Sequence, residues 1–370
     1  SSNTIGSAIT AATRTLNKYN TTGTTKVIIS NSETLTINVA AEFTIASGVT
    51  LEIGSTETLT NAGIIVKNSG GTFTTTGTLT NNGLVLDKSA SDELTFNTTG
   101  TTGTTSQTLN KNFTIDTSET LTIASGQTLT INTDVTLEVA SGGTLTNVGI
   151  IIKIGIFAQN GTLINTNGLV LDKATNDFTF NSDGGNSQTL NNDFIIDTSE
   201  TLTIGSTQEL IIAASKTLTI DGSLDSSGAI TKTASGATID GSGSVTFNSI
   251  AAYDAASDNS DKLIGSNIST DRTLNKYNTT LTTTITIASG EALTIDATKT
   301  LIIASGVTLE ITSGRTLTIV GAITKNGNIT GSGNVTFNSI AAYDATSDNS
   351  DKLIGSNIST DRTLNKYNTT

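Results

Sequence analysis

The feature that most constrains this chain is a repeated octad with fixed parity. Cut every eight residues, positions 284–319 read TITIASGE, ALTIDATK, TLIIASGV, TLEITSGR, TLTI. The same pattern occurs in three earlier runs. The first carries Leu35/Ile37, Phe43/Ile45, Leu51/Ile53 and Leu59; the second Leu121/Ile123, Leu129/Ile131, Leu137/Val139 and Leu145; the third Leu202/Ile204, Leu210/Ile212 and Leu218/Ile220. Apolar residues at i and i+2 follow strand period, and Thr, Ile and Val favour strands. The chain is therefore expected to be all-β. At about 3.3 Å per residue an unbroken strand over 284–319 would extend on the order of 120 Å. The ASG, TSG and GST segments must be bends, with Gly supplying positive φ.

Parity discriminates between two ways of bending. In an antiparallel meander with two- or four-residue loops, the Ile at octad position 4 faces the Thr at position 1 of the next octad, which mixes Thr into the apolar face. A three- or five-residue loop restores the parity, so the meander is disfavoured rather than excluded. If the chain coils in one direction, coils stack in parallel, Leu over Leu and Thr over Thr. The expected fold is thus a right-handed parallel β-solenoid, or β-helix, with about three octads per coil, two-octad coils being the alternative.

Between the octad runs the period changes. NAGIIVKNSGGTFTTTGTLTNNGLVLDK (61–88) and NVGIIIKIGIFAQNGTLINTNGLVLDK (147–173) are relatives, with Gly63 and Gly83 20 residues apart and Gly149 and Gly168 19 apart. Coils of that length place Ile64–Val66 beside Leu84–Leu86. Phe73, Phe96, Phe178 and Phe180 are expected to join an inner aromatic stack, and Asn61, Asn82, Asn147 and Asn167 to sit at bends, where Asn tolerates left-handed geometry and can form ladders between coils. SQTLNKNFTIDTSETLTI (106–123) returns as SQTLNNDFIIDTSETLTI (187–204), so an internal duplication of 81–86 residues overlies the octads. That long repeat suggests a rival fold, a string of β-sandwiches; the octads argue against it.

Composition narrows the function. Net charge is −13, yet only 14% of residues are charged, so Thr, Ser, Asn and Gly supply most of the polar surface. Such a surface attracts neither nucleic acid nor anionic lipid, and no apolar run is long enough for a transmembrane helix. There is no Cys and no His, which removes disulfides, zinc–thiolate sites and the commonest general base. A chain with no Met that begins at Ser1 is expected to be a processed or partial product.

The block TFNSIAAYDAASDNSDKLIGSNISTDRTLNKYNTT (246–280) returns at 336–370 with a single difference, Ala256 against Thr346, and part of it opens the chain as IGSAITAATRTLNKYNTT (5–22). This divides the chain into an N-terminal segment (1–22), a solenoid (23–245), a junction block (246–280), a second octad segment (281–335) and a terminal block (336–370). No amphipathic helix or charged unit resembling a cap is visible, and open solenoid ends favour stacking. Head-to-tail self-assembly is the expectation, with Leu16, Tyr19, Leu274, Tyr277, Leu364 and Tyr367 as candidate contact residues. The competing reading makes the chain a window of a longer tandem array.

Other motifs carry less. Asp254, Asp258 and Asp261, with their copies Asp344, Asp348 and Asp351, are oxygen donors at short spacing that could hold Ca²⁺, but they match no calcium-loop pattern; a solvated loop is the simpler reading. Asp87, Asp92, Asp172 and Asp177 are paired carboxylates of the kind glycosidases use, yet they lie at strand ends or turns, without an aromatic platform. No catalytic residue and no cofactor is expected. Outward TxT pairs (Thr34/Thr36, Thr120/Thr122, Thr128/Thr130, Thr201/Thr203, Thr316/Thr318) would stack into threonine files, interrupted by Glu52, Glu138 and Glu310.

The runs TLTIASGQTLTINTDVTLEVASGGTLTN and GTLTNNGLVLDK resemble the stalks of secreted microbial β-solenoid proteins, the filamentous adhesins and surface-fibre proteins. The resemblance is one of composition and period. It implies an extracellular or cell-surface location and a role as fibre, stalk or adhesin, with cell surface or matrix as a further partner. The expected function is a non-enzymatic subunit of an extracellular filament. The alternative is a monomeric adhesin stalk or a threonine-ladder ice-binding protein, since flat Thr arrays resemble those of ice-binding solenoids.

Overall fold

A computed structural model describes residues 2–5, 7–9, 13–16, 25–29, 34–97, 105–232, 236–248, 267–268, 272–274, 282–287 and 292–337. Among them are 43 short strands, one 3-10 turn (Ser182–Gly184) and no α-helix. The strands form parallel stacked coils, a β-solenoid of about 12 turns. The chain divides into two compact units: Ser1–Ala174 with Asn181–Asn192, and Thr175–Phe180 with Asp193–Thr370.

In the first unit, apart from one hairpin, strands pair with the third strand along the chain, so a coil has three sides. Thr34–Ile37 lies parallel to Thr58–Asn61, which lies parallel to Thr78–Asn81. Thr34 opposes Thr58, Leu35 opposes Leu59, and so on at each rung. Three octads therefore make a coil, and the parallel register excludes both the meander and the β-sandwich string. Inward residues such as Leu35, Ile37, Leu51 and Ile53 are fully buried. Each such side chain contributes roughly 1.5–3 kcal/mol by leaving water. Bends carry positive φ at Gly48, Gly126 and Gly142.

The shorter coils place Ile64 opposite Leu84 and Val66 opposite Leu86, as their spacing implies. These strands do more than stack. Ile64, Ile65, Val66, Leu84, Val85 and Leu86 are all buried, although consecutive residues of a strand point to opposite faces. Phe43, Ile65 and Val85 belong to one apolar core, with Leu35, Leu51 and Phe73. Ile64, Val66, Leu84 and Leu86 belong to another, with Phe96, Leu109, Leu121 and Leu145. One sheet thus serves two cores. It runs from Thr13–Leu16 through Glu42–Ile45, Ile64–Lys67 and Leu84–Lys88 to Glu93–Phe96, Thr120–Ile123, Thr144–Asn147 and Thr162–Ile164.

The switch between cores is a hairpin. Leu84–Lys88 turns through Ser89–Asp92, with Asp92 at φ 59°, and returns antiparallel as Glu93–Phe96, pairing Leu86 with Phe96 and Lys88 with Leu94. Glu93–Phe96 then starts a parallel file with Thr120–Ile123. Strand direction and core face both reverse here while the sheet keeps its order. The two reversals cancel, so the sense of winding is unchanged. This unit therefore has two apolar cores sharing a wall.

Two other expectations are corrected. Phe73 and Phe96 lie in different cores, and the close ring pair is Phe178 with Phe194, 5.4 Å apart and edge-on, in the second unit. The asparagine ladders join Asn61 to Asn81 (2.8 Å) and Asn147 to Asn165 (2.9 Å), at the ends of strands, rather than through Asn82 and Asn167. Among the described residues the left-handed non-Gly positions are Asp, Ser and Thr, Ser118 and Asp134 among them, and none is Asn.

In the second unit the file Thr201–Ile204, Ser223–Ser226, Ser244–Phe247, Thr282–Thr286 is continuous, so Ser244 pairs with Thr282 across the repeated block. The other two sides restart: Asn267–Ile268 pairs forward with Ala292–Ile295, and Arg272–Leu274 pairs forward with Thr300–Ile303. Among the described residues, Ala229–Lys232 and Thr238–Asp240 are the last strands of their sheets. Among the described residues, one side in three is thus paired across the block.

Glycine at a close crossing gives a sharp test. A Cβ on Gly83 would lie 2.2 Å from the Gly63 carbonyl oxygen and 3.0 Å from the Asn61 side-chain nitrogen. Backbone cannot yield locally there, so Gly83→Ala is expected to destabilise the protein by about 1–3 kcal/mol, read as a lower urea midpoint at unchanged m value.

Candidate functional site

The described residues offer three kinds of surface: coil ends, outward faces and a cleft. The ends follow from the hydrogen-bond pattern. Outward residues donate to the coil beneath: Thr78 to Glu57 (3.0 Å), Thr144 to Glu119 (2.9 Å). Inward residues donate to the coil above, as Ile311 does to Thr330 (2.9 Å). Ser2–Ile5, Ser7–Ile9 and Thr13–Leu16 are each terminal in a sheet, and so are Ala322–Lys325, Asn328–Thr330 and Asn334–Phe337. Among the described residues, each of these two coils therefore presents three parallel strand edges.

Of the candidate contact residues, Leu16 lies in the first coil opposite Ile45 and packs, half-buried, against the first core. Leu274 holds the matching register opposite Ile303. In both copies the Leu of the RTLN motif is placed by stacking on the following coil. Tyr19, Tyr277, Leu364 and Tyr367 lie outside the described residues, as do Asp254, Asp258, Asp261, Asp344, Asp348 and Asp351. Among the described residues, no group of three or more acidic side chains could hold a metal ion, and no helix is long and apolar enough to cross a membrane.

The outward faces carry threonine files. Thr34/Thr36, Thr58/Thr60 and Thr78/Thr80 form three rungs in register. Thr120/Thr122 and Thr144/Thr146 form two more on another sheet. The glutamates that interrupt the pattern lie on other sides and have partners: Glu52 pairs with Lys26 (2.6 Å), Glu138 accepts from Asn160, and Glu310 accepts from Thr286.

The cleft, about 460 Å³, lies where the two cores of the first unit share their wall. Glu42, Thr44 and Val66 line one side, Phe113, Asp116 and Glu119 the other, with Lys88 between. Lys88 bonds Glu119 (2.5 Å) and Asp92 (3.1 Å). The Glu119 carboxylate, opposed in part by burial, holds its ammonium above the usual lysine value of 10.5. Lys111 reaches Glu42 at 3.3 Å, strapping the second stack to the back of the first. The paired carboxylates are similarly engaged: Asp87 with Lys67 (3.1 Å) and Asn97 (2.6 Å), Asp172 with Lys153 (2.6 Å) and Asn181 (3.0 Å).

Sequence reasoning missed the residue that closes the hairpin. Gln107 is 3% exposed and accepts from the Val85 amide at 2.7 Å; Gln188 is 1% exposed and accepts from Val170 at 2.6 Å. Asn110 caps the Asn82 carbonyl (2.7 Å), and Asn191 caps that of Asn167 (2.5 Å). These side chains satisfy groups on a strand whose next parallel neighbour is absent because the chain has turned back. The signal lay in SQTL, where Gln stands at an inward position that elsewhere holds Leu.

Two substitutions test this reading. Gln107→Leu leaves a buried amide without an acceptor and is expected to cost about 1–3 kcal/mol by chemical denaturation. For Lys88, the raised folded value means its ion pairs stabilise fully below the ordinary lysine range and are lost as pH rises through the folded value. Lys88→Met is therefore expected to lower the melting temperature at pH 8, with the gap to wild type closing above pH 10.5.

No family model, no characterised protein and no solved structure matches this chain.

Proposed function

We propose that this protein is a non-enzymatic structural subunit of an extracellular filament, added head to tail through its coil ends. One observation carries the reading: each terminal described coil presents three parallel strand edges that no other described strand pairs with, a template for a further coil. The contact would be heterologous, because a parallel coil adds to one end in one sense, and heterologous contacts propagate. The extracellular assignment rests on the resemblance to secreted solenoid stalks.

A second reading draws on the three threonine rungs at Thr34/Thr36, Thr58/Thr60 and Thr78/Thr80, whose regular spacing suits an ordered water lattice. It makes the side face functional and the ends irrelevant. Thermal hysteresis with faceted ice crystals supports it; its absence removes it.

The filament reading is tested at the last described coil. Val335 stands opposite Leu317, at an inward position of the kind whose amide elsewhere donates to the coil above. Val335→Pro removes that edge donor without removing a bond to the strand Thr316–Ile319. The variant is expected to keep the wild-type β-sheet circular dichroism and lose pelletable polymer. Wild-type chain that stays monomeric by light scattering at high concentration contradicts the proposal.

A further inference from the structure

The repeated motif specifies how copies would join. Its first two copies occupy equivalent seats. At the start of the chain, Ile9 pairs with Ile37, Thr15 with Thr44 and Leu16 with Ile45. In the second unit, Ile268 pairs with Ile295, Thr273 with Ile302 and Leu274 with Ile303. In both cases the motif forms the two strands on which the following octad run is built. The strand before the second copy, Ser244–Phe247, supports Thr282–Thr286. Asn334–Phe337 stands before the third copy with nearly the same sequence, NVTF against SVTF, and is the last described strand of its sheet. Residues 354–370 of that third copy are identical to 264–280.

We propose that copies of this chain are joined by strand exchange, with residues 354–370 of one copy seated beneath Thr34–Ile37 and Glu42–Ile45 of the next, in place of that copy's own 7–16. Asn334–Phe337 would then lie under the next copy's Thr25–Ile29, the position Ser2–Ile5 holds in the structure. Exchange is preferred to simple end-stacking because the seat is defined by register and already accepts this sequence. One seat cannot hold two copies of the motif, so the native first coil must leave for the partner to enter. The inference rests on the filament reading and sharpens it by naming the joining segment.

The chain has no Cys, so engineered pairs report cleanly. Directly opposed residues on adjacent strands, about 4.8 Å apart, lie within disulfide range. Two full-length variants decide the matter. Thr15→Cys with Thr44→Cys locks the native first coil when oxidised; exchange predicts loss of pelletable polymer, restored by reductant. Thr44→Cys with Thr363→Cys, Thr363 being the counterpart of Thr15 and Thr273, should give a reductant-sensitive ladder of covalent oligomers. If the locked chain assembles as well as the reduced one, or the second variant forms polymer without a ladder, exchange is overturned and the filament reading stands. If no variant and no wild-type chain assembles in either redox state, the filament reading falls and exchange with it.

Discussion

The structure depends on the parallel hydrogen-bond ladder between successive coils. Outward residues bond downward and inward residues bond upward, so every coil must present the same alternation as its neighbours. A strand displaced by one residue would turn its Leu and Ile to solvent and its Thr to the core. That constraint explains why Thr opposes Thr and Leu opposes Leu through Thr34, Thr58 and Thr78 and through Leu35, Leu59 and Leu79. It also explains the corners. Coils pass close enough that Gly83 approaches the Gly63 carbonyl within the space of a methyl group, while buried amides such as that of Asn61 bond upward to Asn81.

The ladder also governs how the chain leaves one stack for another. A strand buried on both faces has no outward side, and its sequence reads as a continuous apolar run rather than an alternating one. GIIVK and GLVLDK are such strands. At the second of them the chain folds back, and groups that would have bonded to the next coil are taken by Gln107 and Asn110. The same side-chain set recurs with Gln188 and Asn191. The 81-residue offset between these Gln residues is thus the repeat of a turning device.

Much of this was legible in the residues. Octad parity gave the inward and outward sets; the bends allowed coils of three or two octads, and the pairing of Thr34 with Thr58 shows three. The apolar triplets at 64–66 and 84–86 were placed correctly on neighbouring strands, but their meaning was not: periodicity cannot say what covers the second face of a strand. The hairpin was hidden for a related reason. Its turn, SASD, resembles the bends of the octads, and only the pairing partner distinguishes a corner from a reversal. Gln107 and Gln188 were readable in principle, as polar residues at inward positions. The contact residues were harder, because Leu16 and Leu274 are fixed by the coil stacked on them rather than by anything in their own segment.

In functional terms the account makes the coil ends the active part of the molecule, and treats the faces as the polar coat of a rod-forming module. Its central claim is that coils continue from copy to copy with strands across the fibre. Fibre diffraction from aligned, assembled protein tests this most directly. The account predicts a sharp reflection near 4.8 Å on the meridian, from coils stacked along the fibre axis. A 4.8 Å reflection on the equator, or material that yields only globular particles, would contradict it.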